Sequence, residues 1–166
     1  LLAFDQLINS AAKWYYMFGA KKPVPITIRL IIGRGWGQGP THSQSLQSIF
    51  AHIPGLKVVM PSSPQNAYYL LKDSIFDPNP VVFLEHRWLH NLKSNVSYKK
   101  SNKLSGSKVV KKGKDLTIIT MSWAVHDVLD VSKRLNKEGI DIEVIDLSVI
   151  KPIFWKNIFA SIKKTG

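Results

Sequence analysis

The chain has 166 residues, 45% hydrophobic and 20% charged, which is enough for one medium core or two small ones and too apolar for a disordered chain. Cysteine is absent, which excludes disulfide frameworks and thiolate metal sites and accords with a reducing compartment. The formal charge of +12 raises nucleic acid as a partner, but eight of the 23 basic residues fall between Lys93 and Lys114 with no acid among them. A solvated lysine-rich linker accounts for that segment, and no nucleic-acid module surrounds it. No apolar run reaches the roughly 20 residues of a membrane span, and the first residues lack a basic stretch and a cleavage site. The expectation is a cytoplasmic protein with neither nucleic acid nor membrane as partner. The opening, without Met and inside an apolar periodic segment, implies that the natural protein begins upstream of Leu1.

Phe4, Leu7, Ile8, Ala11, Ala12 and Tyr15 recur at helical spacing, so residues 2–17 are expected to form an amphipathic helix that stops at Gly19. After Pro23-Val24-Pro25, the β-branched run from Ile26 to Ile32 reads as a buried strand. A glycine-rich loop follows to Gln44, then one or two helical turns over 45–52 ended by Pro54-Gly55, then a strand over 56–60. Ser63 caps the next helix with Pro64 at its first position, and Ala67, Leu70, Leu71 and Ile75 give it an apolar stripe. Asp77-Pro78-Asn79-Pro80 turns the chain into a third strand over 81–85. Beyond a Ser-, Asn- and Lys-rich linker come a strand over 116–120, a helix striped by Val125, Val128, Leu129 and Leu135, a strand over 140–147 and a helix over 155–164. Strands alternating with helices at these lengths imply βαβ units, hence an α/β fold with a parallel sheet.

In parallel α/β sheets the loops after strand C-termini face the ligand crevice, which directs attention to Gly33-Arg34-Gly35-Trp36-Gly37-Gln38-Gly39-Pro40-Thr41-His42. Its glycines let backbone approach a ligand, but the spacing is that of neither a dinucleotide fingerprint nor a Walker loop, and a flexible surface loop is the plain alternative. His42 falls where loop becomes helix, so a helix N-terminus would favour its neutral imidazole, as a proton carrier or simply as a cap. His42-Ser43 with Asp5 or Asp77 as orienter would make a hydrolase, but no nucleophile elbow is present. His86 and His90 have metal-ligand spacing without a third ligand; the simpler reading packs Trp88 and Leu89 and exposes both histidines.

The run His42-Ser43-Gln44-Ser45, then residues 50–61 (FAHIPGLKVVMP) and 77–85 (DPNPVVFLE), resembles in order and spacing the beta subunits of thiamine-diphosphate-dependent 2-oxo-acid dehydrogenases. Residues 5–13, 23–26, 113–119 and 143–147 are similar to the same family. The resemblance implies the latter part of a transketolase-like pyrimidine-binding domain over 1–95, a basic linker over 96–112, and the first part of a transketolase C-terminal-type α/β domain over 113–166. It implies an enzyme that decarboxylates a 2-oxo acid on thiamine diphosphate and passes the acyl group to lipoamide. The implied partners are an alpha subunit that holds the diphosphate through magnesium, in an alpha2-beta2 heterotetramer with a beta-beta contact, and a lipoyl-bearing acyltransferase. His42 matches the family's proton-transferring histidine. The family's potassium site, largely backbone oxygens, maps onto Ile26, Ser74, Ile75, Asp77 and Asn79. Its activating glutamate and the aromatic residue on the pyrimidine would lie upstream of Leu1, so this piece alone is expected to be inactive. A transketolase or deoxyxylulose-phosphate synthase relative, and a truncated non-catalytic interaction module, are the alternatives.

Overall fold

A computed structural model describes residues 2–98, 104 and 106–165. Strand β1, Thr27–Ile32, starts after Pro25 and ends at Gly33, and it pairs in parallel along its whole length with β3, Val81–His86. On the other side of β3 lies the short parallel strand β2, Lys57–Val59. Every residue of β3 except Glu85 is buried, which is why its sequence reads as a continuous apolar run rather than an alternation. The helix α4, Pro64–Ile75, connects β2 to β3, and Ser63 caps it by accepting the Asn66 N–H at 3.2 Å.

The second sheet has the order β4-β6-β5, with β4 formed by Ser107–Lys111. Strand β5, Leu116–Thr120, is parallel to β6, Ile142–Leu147, through the helix α5, Ala124–Lys137. Helix α6, Trp155–Thr165, closes the chain against these strands, and Glu143 fixes it by accepting from Ser161 and pairing with Lys164. After β6 the chain passes through Ser148 into β7, Val149–Lys151, which leaves this sheet and joins the first one antiparallel to β2. One apolar core accordingly runs through both units, with Val58, Met60, Val82 and Leu84 meeting Ile145, Leu147, Ile150 and Ile158. None of the described helices is long and apolar enough to cross a membrane.

Several elements depart from expectation. Residues 2–17 are not one regular helix: Gln6–Ala11 has π-helical pitch, between α-helical Phe4 and Asp5 and the α-helix α1, Ala12–Met17. The short helices before β2 are α2, Gly39–His42, and α3, Gln47–His52. On α4 the buried positions are Leu70 and Ser74, while Ile75 is 57% exposed; Ser74 turns inward because its hydroxyl donates to the Leu70 carbonyl. The segment expected as linker contains a strand, β4, Ser107–Lys111, antiparallel to β6. Its lysines disguise it: Lys108 is exposed beside buried Ser107, and half-buried Lys111 is ion-paired with Asp141 at 2.9 Å, so a basic composition fits a half-buried strand. Residues 99–103 and 105 of that linker lie outside the described residues. The antiparallel strands β4 and β7 make both sheets mixed, where a parallel sheet was expected.

Gly55, in the turn before β2, lies directly against the backbone of Ala12 in the first helix. Its φ is +93°, and a Cβ there would lie 1.9 Å from the Ala12 carbonyl oxygen. Gly55→Ala combines left-handed strain with a backbone clash, so it is expected to cost about 2–4 kcal/mol, read as a lower urea midpoint with an unchanged slope.

Candidate functional site

Parallel pairing brings the ends of β1 and β3 to one edge of the first sheet, Ile32 beside His86. At that edge lies a cavity of about 390 Å³. Leu30, Ile32, Leu46, Phe50 and Leu84 form its apolar wall, and Trp36, Gln38, Thr41, His42, Gln44 and Arg87 are among its other lining residues. The loop over 33–44 is tied at both ends, since the Gly33 N–H donates to the Gln44 carbonyl at 3.1 Å. Inside it, Trp36 N–H donates to Gly33 O, Trp36 Nε1–H to Gln38 Oε1, and Gln38 N–H to Ser43 Oγ. The glycine-rich segment is therefore a hydrogen-bonded loop over a cavity.

His42 lines this cavity, and its Nδ1 lies 3.0 Å from Thr41 Oγ1. It does not sit at a helix N-terminus as expected: it is the last residue of the four-residue helix α2, and α3 begins only at Gln47. Neither hydrolase orienter reaches it. Asp5 is bonded to Asn9 at 2.6 Å, and Asp77 is ion-paired to Lys57 at 2.5 Å near the other end of the strands.

His86 and His90 are not an exposed pair. His90 is exposed, whereas His86 is 5% exposed and organises the loop from below. The Arg34 carbonyl, 3.1 Å from Nε2, can only accept, and the Trp88 N–H, 3.3 Å from Nδ1, can only donate. These two partners define the neutral Nε2–H tautomer. Burial pushes the His86 pKa below its ordinary value; the Arg34 carbonyl and Asp127 oppose this, and His90 adds to it. Gly35 sits directly on Trp88, whose ring a Cβ would meet at 3.0 Å. Trp88 packs edge-on against Trp123 at 5.1 Å, Trp123 stacks on His126, and His126 bonds the Ser62 carbonyl at 2.7 Å. An aromatic ladder thus joins the loop of the first unit to helix α5 of the second. Sequence reasoning missed Arg87, Trp123 and His126; the only available signal was the aromatic content after β3 and β5.

Behind the ladder, Asp146 is fully buried, and its Oδ2 accepts from Ser62 at 2.5 Å, Ser148 at 2.7 Å and Asn66 at 2.9 Å. Burial raises its pKa, with those three donors and the nearby His126 acting against it.

The residues expected to hold potassium gather at the opposite edge of the sheet, near the starts of β1 and β3. The Ile26 carbonyl accepts the Val81 N–H, the Ser74 carbonyl accepts the Asp77 N–H, and Asp77 Oδ1 accepts the Asn79 N–H. Ile75 is adjacent and exposed. Among the described residues no group of three or more His, Cys, Asp or Glu could hold a metal ion.

With this geometry in place, comparison with known proteins defines the class. The family model described as the transketolase pyrimidine binding domain matches residues 2–92, and the one described as the transketolase C-terminal domain matches residues 106–166. The chain belongs to the transketolase pyrimidine-binding family, continued by a transketolase-type C-terminal segment. Among its relatives, the beta subunit of acetoin:2,6-dichlorophenolindophenol oxidoreductase from Cupriavidus necator is 40% identical, covering 99% of this chain and 49% of that protein. The pyruvate dehydrogenase E1 component subunit beta of Porphyra purpurea is 43% identical, covering 99% and 50%. The chain spans about half the length of the curated relatives it matches. A solved chain described as a split gene transketolase, inactive beta4 tetramer, aligns with a TM-score of 0.76 over 99% of this chain and 51% of its own length. A Pichia stipitis transketolase reaches 0.63 over 82% of this chain and 22% of its own. At 22% and 21% identity these two likenesses show the fold alone.

The His86 tautomer makes the loop sensitive to acid. A histidine whose folded pKa is lowered contributes stability that is present above its unfolded value and lost as pH falls through that value toward the folded one. Protonating Nδ1 removes the acceptor for Trp88 N–H. The protection factors of the amides over residues 33–44, which remove the intrinsic pH dependence of exchange, are therefore expected to fall as pH drops below the ordinary histidine value of 6.5, and His86→Gln, which does not titrate, should abolish that dependence. Identical pH profiles for the two proteins would remove His86 from this role.

Proposed function

We propose that this chain is part of the beta subunit of a thiamine-diphosphate-dependent 2-oxo-acid dehydrogenase. It works with an alpha subunit in an alpha2-beta2 assembly with a beta-beta contact and passes its acyl group to a lipoyl-bearing acyltransferase. The observation that carries this reading is identity of 40% and 43% to dehydrogenase-type beta subunits through both α/β units in one alignment. The likeness to solved transketolases rests on fold at about half that identity.

The cavity lining supports a shared site. Thiamine diphosphate requires a carboxylate against its aminopyrimidine, and a metal with anion-binding groups against its diphosphate. Among the described residues no carboxylate lines the cavity and no cluster could hold a metal. The residues here fit one wall of such a site, apolar with an imidazole at the rim, and not its diphosphate end, which in this reading belongs to the alpha subunit with magnesium. Bound there, the cofactor supplies the electron sink for loss of carbon dioxide. The Leu, Ile and Phe wall excludes water, and His42 moves a proton when the acyl group leaves for the lipoyl arm.

His42→Ala, made in the full-length subunit assembled with its alpha partner, should lower lipoamide-dependent turnover about 10²–10⁴-fold. Affinity for thiamine diphosphate should change only a few-fold. Lipoamide-dependent turnover close to that of wild type would remove His42 from catalysis, and an assembled wild-type protein that decarboxylates no 2-oxo acid would overturn the whole reading.

The same reading includes potassium at Ile26, Ser74, Ile75, Asp77 and Asn79. Lys57 already occupies Asp77 Oδ2, so carbonyl oxygens must supply most of the coordination. Potassium chloride in place of tetramethylammonium chloride at equal ionic strength should raise the thermal midpoint of the assembled protein, and an unchanged midpoint would remove the site.

A further inference from the structure

The cavity under the glycine-rich loop has an unbalanced charge. Among the described residues its lining contains two ionisable side chains, His42 and Arg87, and no carboxylate. Arg87 follows β3 directly, so the strand fixes its backbone, and its guanidinium lies 5.5 Å from the centroid of the Trp36 ring. Trp36 is itself held by its Nε1–H bond to Gln38 at 3.0 Å. Among the described residues Arg87 forms no ion pair, in contrast to Arg29, which is bound to Glu85. A guanidinium resting on an aromatic face keeps its N–H edges free, and their fork matches a planar carboxylate. Next to it is an apolar wall of Leu30, Ile32, Leu46, Phe50 and Leu84. A cation beside an apolar chamber suits a small monoanion with an aliphatic body.

We infer that Arg87, held by Trp36, is the specificity-determining residue of this site: it takes the carboxylate of the substrate and favours a 2-oxo acid over a neutral hydroxyketone. The inference rests on the function proposed above and deepens it, because relatives of this chain are named for acetoin, which is neutral, and for pyruvate, which is an anion. Arg87 is a binding residue here. Its interaction with the carboxylate is made before the chemistry and is released with the carbon dioxide, so its loss acts mainly on KM.

The test uses the full-length subunit in its assembled complex, with an artificial electron acceptor, comparing Arg87→Gln, Arg87→Lys and Trp36→Leu with wild type. For pyruvate and for a branched-chain 2-oxo acid, Arg87→Gln should raise KM about 10–100-fold, the loss of one charge-assisted pair, with a far smaller fall in kcat. Arg87→Lys should recover part of that loss, and KM for acetoin should stay within a few-fold. Equal increases for the acids and for acetoin, or unchanged KM for the acids, would overturn the inference. A second arm does not depend on turnover. Binding of 2-methylpropanoate, followed by tryptophan fluorescence, should be seen in wild type, be lost in Arg87→Gln, and lose its signal in Trp36→Leu. If wild type binds this anion in an Arg87-dependent way yet turns over no 2-oxo acid, the functional reading fails and the anion site stands. Failure of wild type to bind it, or equal binding by Arg87→Gln, sinks the anion site.

Discussion

The passage of one strand between two sheets is the constraint on which the rest of the molecule depends. Strand β6 is the centre of the second sheet, and after Ser148 the same chain enters the first sheet as β7. The Ser148 carbonyl accepts the Met60 N–H at 2.8 Å, and Val149 pairs with Val59. This covers the edge of β2, a three-residue strand too short to stand at an open border with its apolar residues buried. It also draws Ile145, Leu147 and Ile150 into the same core as Val58 and Leu84, so the two units share buried apolar surface that neither would complete alone. Gly106 reflects the closeness of the fit, since a Cβ there would lie 2.4 Å from the Val149 side chain.

The cavity inherits its form from that arrangement. Strand β3 is wedged between β1 and β2 with both faces covered, so the residues that follow it emerge at a fixed point. His86 reaches up to the loop, Arg87 stacks on Trp36, and Trp88 turns toward the second unit to meet Trp123. His86 also stacks on Trp123, so the three consecutive side chains together engage the loop, the cavity and the junction between units from a single strand end. The loop is ordered in turn by what it touches, Gly35 allowing backbone to settle on the Trp88 ring where a side chain would collide.

Much of this was legible in the residues, for reasons that can be named. β1, β3 and β5 are dense in β-branched residues and bounded by Gly, Pro or Asp, and Ser63-Pro64 is a cap whose chemistry is local; each was read close to its observed bounds. What escaped depended on distant partners. β4 is a strand because β6 lies beside it, while its lysines read as linker; β7 is only three residues long and exists because β2 needs a neighbour. His42 could be placed near the cavity from its position after β1, but its place at the end of a four-residue helix could not. The burial of His86 and the stacking of Arg87 followed from the loop returning over β3, a tertiary event with no local pattern.

The polar knot at the crossing explains why the strand passes over in one register. Asp146 and Ser148 flank Leu147 on the crossing strand, while Ser62 lies in the loop after β2 and Asn66 in the first turn of α4. Three donors converge on Asp146 Oδ2, whereas Oδ1 is buried without a partner among the described residues. The arrangement is not optimal for stability: an ionised carboxylate leaves Oδ1 without a donor, and a protonated one needs an acceptor for its O–H. Its effect lies in the alternatives it penalises. A slip of one residue would turn Asp146 and Ser148 to the other face, leaving Ser62 and Asn66 unpaired and a carboxylate in the apolar core. The raised pKa of Asp146 marks the cost of that burial. The same bonds hold Ser62, whose carbonyl receives His126, and through His126 and Trp123 the ladder that supports Trp88 and the glycine-rich loop. A buried carboxylate that contributes little to the depth of the fold thereby fixes the geometry from which the cavity is built.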